Sequence, residues 1–460
     1  MIEFDFTKND WSVYDNILLI WENGSWKSTL LEIIFDFSNY TYNYNWTNEI
    51  RMFEIELSEA ELTEINQMYS EISYSANFIF KLDLSKELWR NQIEITHEGS
   101  KLHWSTFHQK KEIFKWIYST AEISFNSNIP SSITNKNIDE PVKDSVKSPA
   151  DLANQITQLL VDIRQKDNED AESYRDLHNE AIWEEKRQLR TKRFKSAFIK
   201  IFSDKLQYSK VISLKPVFKK WSEEFDITKL SSWEKQIVFR WWFLLKDQNS
   251  LTWAPVLIDE PEISLHPSRQ LKILDYYRTI FTDTNTGQQT SQIFFTTHSP
   301  YVLKSYNKED YKIFIFSRNE LNQEVSIAPI QELWKLYWIP SWWEINRYAY
   351  WLPTIEFHDE LYGFLHDRYI QQWLNDTDKS NRSKIKIFDS DYILKNISLP
   401  NKNRDEERYR ISWFKTITHT VSLCTFIRHK SHHPENMTMQ PKDFTIQELK
   451  DSIEAMISNI

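Results

Sequence analysis

Short, uninterrupted apolar runs, each closing on charged or small polar residues, mark the first two thirds of the chain. Ile17–Ile20 is the first and predicts a buried strand; after a polar break, Leu30, Leu31, Ile33 and Ile34 carry the spacing of a helix. Runs at Val256–Ile258 and Ile293–Phe295 predict two more buried strands. Between these landmarks, Asn77–Leu84 and Gln92–Thr96 alternate apolar with polar, the pattern of an antiparallel sheet with one covered face. Residues 127–149 are polar and rich in proline and read as a long loop. Residues 150–202 follow as a helical arm, with Leu152, Ile156, Leu159, Leu160 and Ile163 on one face. No heptad is sustained over several turns and no internal repeat is visible, so the arm is not a long coiled coil. The last part, 352–460, reads mostly helical.

Composition narrows the setting. A chain of 460 residues exceeds what one core usually serves, so two or three domains are expected. No apolar run approaches the roughly 18–20 residues of a membrane helix, and the opening MIEFDF reads as strand rather than as a signal peptide. Cys424 is the one cysteine, which excludes a disulfide within the chain. The expectation is a cytoplasmic protein with no membrane partner. A net charge of −10 argues against a uniformly basic nucleic-acid coat. A local patch is still available at Lys186, Arg187, Arg190, Lys192, Arg193, Lys195 and Lys200, as a phosphate-backbone contact or as a solvated helix face. One figure is abnormal: 4 Gly against 20 Trp, where average usage gives roughly 32 glycines.

The chemistry begins where the first strand meets the first helix, at Trp21-Glu22-Asn23-Gly24-Ser25-Trp26-Lys27-Ser28-Thr29. Lysine and two hydroxyls at a helix N-terminus are suited to phosphate and Mg²⁺. With glycine at 21 and 26 the segment becomes GENGSGKST, which resembles the phosphate loop of ABC-type ATPases. Residues 230–236, LSSWEKQ, resemble the ABC signature once 233 is glycine. The Val256–Ile258 run ends in Asp259-Glu260, as a Walker B strand does, and Ile263-Ser264-Leu265-His266-Pro267 follows. The Ile293–Phe295 run leads through Thr296-Thr297 to His298, which resembles a switch histidine.

Taken in order, these segments resemble the ABC-class ATPases of the SMC, RecF and OLD-like branch, over about residues 1–330. The resemblance implies an α/β fold: a P-loop NTPase head of ABC type with an antiparallel β-subdomain and a helical insertion at about 150–220. It implies ATP and Mg²⁺ as cofactors, held by Trp21, Asn23, Gly24, Ser25, Trp26, Lys27, Ser28 and Thr29, with Ser28 and Asp259 on the metal. Glu260 would orient or deprotonate the attacking water and His298 would sense the γ-phosphate. Ser232 and Trp233 would contact ATP held by a second copy, in a head-to-head homodimer.

Tryptophan at 21, 26 and 233 is at odds with these roles, since an indole at 26 takes the space of the phosphates. Two readings stand. In the first, UGA codons that specify glycine in some bacterial lineages have been translated as tryptophan; Trp351 and one or both of Trp241 and Trp242 fit the same origin. In the second, the tryptophans are genuine and the chain is a nucleotide-dead interaction protein.

The region 352–460 is expected to be a mainly α-helical effector domain. Its densest chemistry runs from Cys424 to Asn436. Arg428 followed by His433 resembles the HEPN ribonuclease motif, which implies RNA cleavage without metal, with His433 as general acid/base and Arg428 on the phosphate. Zinc binding by Cys424, His429, His432 and His433 is a second reading, and a cationic helix end without chemistry a third. Asp389 and Asp391 raise a Toprim nuclease as a further alternative. The combined expectation is an ATPase coupled to RNA cleavage in phage defence, with an operon-encoded partner compatible; the alternative is a DNA-binding ATPase without nuclease activity.

Overall fold

The computed structural model describes residues 4–8, 10, 12–21, 26–39, 50–57, 59–68, 75, 77–83, 92–98, 100–102, 116–121, 130–134, 146–178, 202, 205–246, 254–283, 286–304, 310–318, 325–329, 341–350, 352–372, 380, 383–399, 403–410, 415–433 and 443–460. They divide into two compact units: residues 4–19 with 26–312, and residues 20–21 with 313–460.

The larger unit is α/β. Its central strands are β1 (Asn16–Trp21, of which residues 16–19 belong to this unit), then, after the antiparallel sheet β2 (Ile50–Glu56), β3 (Asn77–Asp83), β4 (Gln92–His97) and β5 (Ser100–Leu102), the strands β6 (Ile117–Ser119) and β7 (Val146–Lys147). A second antiparallel sheet holds β8 (Gln207–Ile212), β9 (Lys215–Lys220) and β10 (Glu223–Asp226), and β11 (Val256–Ile258) and β12 (Ile293–Thr297) return to the centre. The central order is β1-β12-β11-β6-β7, with β12, β11, β6 and β7 parallel. Ile17–Ile20 and Val256–Ile258 are completely buried. That is why these strands are uniformly apolar rather than alternating: a parallel sheet is covered on both faces. Helix α1 (Trp26–Asn39) packs against β6 and β12. Helix α2 (Glu59–Met68) follows β2, and α3 (Leu152–His178) buries the predicted Leu152, Ile156, Leu159, Leu160 and Ile163.

One expectation needs correction here. The helical insertion does not extend to about 220, because Gln207–Asp226 forms the β8–β9–β10 sheet. Val217 and Phe218 are buried while Lys219 is exposed, and lysines interleaved with β-formers concealed the strand pattern. The basic stretch 186–200 lies outside the described residues.

The β9–β10 connection is a two-residue hairpin, with Lys220 paired to Glu223 across Trp221-Ser222. Trp221 has φ 59° and is 80% exposed. A left-handed first turn position is that of a type II′ hairpin turn, where glycine is the fitting residue. Tryptophan there carries a strained backbone and gains no burial in return.

Helix α4 (Ser232–Lys246), the four-residue α5 (Pro267–Gln270), α6 (Ile273–Ile280) and the four-residue α7 (Pro300–Leu303) complete the larger unit. In α4, Trp241 and Trp242 are both buried, and Trp241 Nε1 has no hydrogen-bond partner among the described residues.

The smaller unit contains the antiparallel pair β13 (Tyr311–Arg318) and β14 (Val325–Pro329). A helical region follows: α8 (Trp342–Tyr350), α9 (Ile355–Gln371), the short α10 (Ile385–Phe388) running into a π-turn at Asp389–Ile393, α11 (Leu394–Asn396), α12 (Leu423–His432) and α13 (Ile446–Ile457). The hairpin β15 (Asn403–Arg410) and β16 (Lys415–Ser422), unforeseen in the sequence, precedes α12. Phe357, Leu361, Leu365, Phe388, Cys424, Ile427, Ile453 and Met456 form its core. A Thr445–Glu448 capping box starts α13. Among the described residues, no helix of either unit is long and apolar enough to cross a membrane.

Candidate nucleotide site

Parallel pairing of β11 and β12 sets Ile258 beside Phe295, so the next residues, Asp259 and Thr296, emerge side by side at the strand ends. Asp259 is 2% exposed. One of its carboxylate oxygens accepts from Ser28 Oγ at 2.7 Å, and the other accepts from Thr296 Oγ1. Ser28 comes from the first turn of α1, so three elements converge on one carboxylate. Trp21, Trp26 and Lys27 are described only as backbone, and Thr29 is half-buried on the same turn. Asn23, Gly24 and Ser25 lie outside the described residues.

Glu260 follows with φ 45°, an uncommon conformation for a non-glycine residue. Its N–H donates to Thr296 Oγ1 at 3.0 Å, and its Oε1 meets His298 Nε2. His298 is fixed from behind by Glu262, whose Oε1 accepts from the His298 N–H at 2.8 Å and from Thr297 Oγ1 at 2.6 Å. A carboxylate and an imidazole are thus held in contact beside a second, buried carboxylate. Such a group can align and deprotonate a water next to a metal-bound phosphate.

Arg240 ties this site to the helix that follows the signature. Its guanidinium is fully buried and donates to the carbonyls of Asp259 (2.8 Å), Thr120 (2.7 Å) and Ala121 (3.1 Å). At the start of α4, Glu234 accepts from the Ser231 N–H at 2.9 Å and Ser231 Oγ at 2.6 Å, and pairs with Lys220 at 2.8 Å. Burial would raise the Glu234 carboxyl, but the hydrogen bonds from Lys220 and Ser231 outweigh it and hold it below the usual carboxylate range. Ser232 is the first residue of the helix, and Trp233 stacks under Arg269, whose guanidinium carbon lies 3.6 Å from the ring centroid. His266 caps the short helix α5 by accepting from the Ser268 N–H at 3.3 Å.

The structure therefore brings together Ser28, Asp259, Glu260 and His298. It adds Thr296, Glu262 and Arg240, which sequence reasoning missed. Thr296 and Glu262 were within reach, since each stands two residues from an already selected histidine or glutamate.

The C-terminal candidates separate. Asp389 is buried and accepts from the Ser422 N–H at 3.1 Å, from Ser422 Oγ and from Thr425 Oγ1 at 2.5 Å. It holds the start of α12, and Asp391 faces Lys395 at 3.6 Å. Residues 385–393 are helical, so Asp389 and Asp391 do not follow a strand as a Toprim arrangement requires. Cys424 is in the core and accepts from Ser452 Oγ at 3.2 Å, with burial pushing its thiol up to about 12. His432 and His433 are exposed, so the zinc set does not converge; no group of three metal-ligating side chains occurs among the described residues. Arg428 lies with its guanidinium carbon 4.8 Å from the Tyr362 ring centroid, and His433 caps α12.

Residues 19–304 match the family model described as "AAA domain, putative AbiEii toxin, Type IV TA system". Among solved structures, an "SMC head domain from Thermotoga maritima" is 11% identical over 69% of this chain and 92% of its own, with a TM-score of 0.36. A "Smc head domain with an extended coiled coil bound to the C-terminal domain of ScpA derived from Pyrococcus furiosus" is 13% identical over 70% of this chain and 91% of its own, with a TM-score of 0.35. No curated protein sequence matches this chain.

Proposed function

Because the chain belongs to the AAA domain family of the AbiEii-toxin kind, matched over residues 19–304, we propose that it binds and hydrolyses ATP as an ABC-class head. In this reading two copies close head to head around two ATP molecules, and the nucleotide state licenses a C-terminal RNA-cleaving effector in phage defence. Residues 1–330 make the ATPase and 352–460 the effector. The observation that carries the ATPase reading is the meeting of Ser28, from the first turn of α1, with Asp259, Glu260 and His298 at neighbouring strand ends.

The residues present fit Mg²⁺. A serine hydroxyl and a buried carboxylate, now bonded to each other at 2.7 Å, are the hard oxygen donors that ion takes. Bound there, Mg²⁺ would neutralise charge on the β- and γ-phosphates. Glu260 would take the proton of the attacking water, and His298 would hold Glu260 and the γ-phosphate in register. Glu262 and Thr296 keep both in place.

Tryptophan at 21, 26 and 233 does not fit a phosphate cradle, and we read all three as glycine positions. Trp221 supports this from outside the motifs, since its φ of 59° is a glycine conformation in a solvent-exposed turn. The unpartnered Trp241 indole N–H supports it from the core, where a buried donor without an acceptor costs stability. Tandem mass spectrometry of peptides covering 21, 26, 221 and 233, from protein made in its own cells, tests the reading. Glycine there predicts ATP hydrolysis; tryptophan sinks the ATPase. The latter outcome favours a nucleotide-dead binding protein, a reading supported by the close Arg269–Trp233 stack.

A further inference from the structure

Helices α9 and α12 cross-contact at two rungs. Asp359 on α9 meets His432 Nε2 on α12 at 3.1 Å and Ser431 Oγ at 3.2 Å. Three residues further along α9, the Tyr362 ring underlies Arg428. A step forward on one helix is a step back on the other, so the pair is antiparallel. Arg428 and His432, four apart, share the face turned to α9. His433 is five residues from Arg428, off that face, and its ring lies 6.4 Å from that of His429.

Exposed ion pairs contribute about 0–1 kcal/mol and need no supporting structure. This one has such structure. Asp359 is only 23% exposed in its side chain against 49% for His432, and its Oδ1 is buried without a hydrogen-bond partner among the described residues. Behind it stands His358, completely buried, with Nδ1 3.7 Å from Asp359 and Nε2 bonded to Ser452 Oγ at 3.0 Å. Burial lowers the His358 pKa and favours its neutral ring, and α12 supplies His432 and the Ser431 hydroxyl to Asp359. A half-buried carboxylate directed at one nitrogen of a solvent-facing imidazole fixes its tautomer and orientation.

We propose that Asp359 and His432 form an acid–base pair which, with Arg428, makes a site for a phosphodiester of single-stranded RNA; the inference rests on the ribonuclease reading above. His432 Nε2 faces Asp359, leaving Nδ1 to take the proton of a 2′-hydroxyl. The 2′ oxygen bonds to phosphorus and the P–O5′ bond breaks with its electron pair going to O5′. Water protonates O5′, and the hydroxide so formed recovers the proton from His432. Arg428 balances the phosphate charge. His432 is the catalytic residue and Asp359 a positioning residue.

The test is cleavage of a fluorescent single-stranded RNA by the full chain, with the ends of the fragments identified. A 2′,3′-cyclic phosphate and a 5′-hydroxyl are expected, with a loss on His432→Ala of about 10²–10⁴-fold, at least tenfold greater than on His433→Ala. Asp359→Asn is expected to lower kcat with KM kept and to move the acid limb of the pH–rate profile to lower pH. His432→Gln, checked for folding by circular dichroism, separates lost chemistry from lost structure. If the wild-type chain cleaves no RNA, the ribonuclease reading and this inference fall together. If it cleaves but His433→Ala is the more damaging change, or Asp359→Asn leaves the profile in place, the reading stands and the Asp359–His432 pair is overturned.

Discussion

The nucleotide site and the C-terminal helical unit both bury ionisable groups, and they differ in which of these receive compensating hydrogen bonds. At the strand ends Asp259 is buried but receives two hydroxyls, and Glu234 is buried but receives Lys220 and Ser231. For Glu234 these hydrogen bonds outweigh burial and hold the carboxyl below the usual range. In the helical unit burial lowers the pKa of both His358 and His366, favouring the neutral ring. One region spends polar contacts to retain charge where phosphate chemistry needs it. The other supports its buried Asp389 with three hydrogen bonds but leaves those two histidines to burial, and presents Arg428 and His432 at the helix end.

The comparison is most sharply tested where charge is thought to act. In a protein carrying glycine at 21, 26 and 233, Glu260→Gln is expected to lower ATP hydrolysis by about 10²–10⁴-fold while nucleotide binding persists. Phosphate release and a fluorescent-nucleotide titration check the two halves. Retained hydrolysis would remove Glu260 from the chemistry.

Arg240→Leu strips donors from one buried and two half-buried carbonyls, and the larger unit is expected to lose about 2–4 kcal/mol. Urea denaturation followed by a probe in that unit measures this. An unchanged midpoint would mean that the strand ends are fixed without Arg240.

Acid should affect the two units in different windows. A histidine lowered by burial gives its full stabilisation above about 6.5, the value of a free imidazole. That stabilisation is lost as pH falls below it towards the folded value, at up to about 1.4 kcal/mol per pH unit. Glu234, held low, keeps its contribution until pH falls through the carboxylate range near 4.3. Between pH 7 and 5 the helical unit should therefore lose stability while the Glu234 contribution holds, and His358→Gln should flatten the slope. Equal acid sensitivity of both units above pH 5 would contradict the contrast.

The smallest effect is expected at the β9–β10 turn. Trp221→Gly should add about 1 kcal/mol by relieving a left-handed backbone, read as a raised denaturation midpoint. A lowered one would show the indole to be useful.

Much of the larger unit was legible beforehand because its strands are buried on both faces and its motif residues sit at strand ends. Ile17–Ile20, Val256–Ile258 and Ile293–Phe295 mark themselves by unbroken hydrophobicity, and Asp259, Glu260 and His298 by their place just after. The β8–β9–β10 sheet was misread because its lysines and glutamates mask the period of two. The β15–β16 hairpin was missed for a related reason: Asn403–Arg410 is almost wholly polar, and strand pairing there is a property of the backbone ladder.

From the sequence alone came the α/β head, the order of its motifs, the apolar face of α3 and the conflict posed by tryptophan at glycine sites. All of these depend on residue type at short separations along the chain, where steric and hydrophobic preferences act locally. Only the tertiary structure decided that Thr296 shares Asp259 with Ser28, that Arg240 clasps the strand ends, that Cys424 faces the core, and that His432 rather than His433 lies on the Arg428 face. Those facts depend on strand register and helix crossing, which join residues far apart in sequence and leave no periodic trace in it.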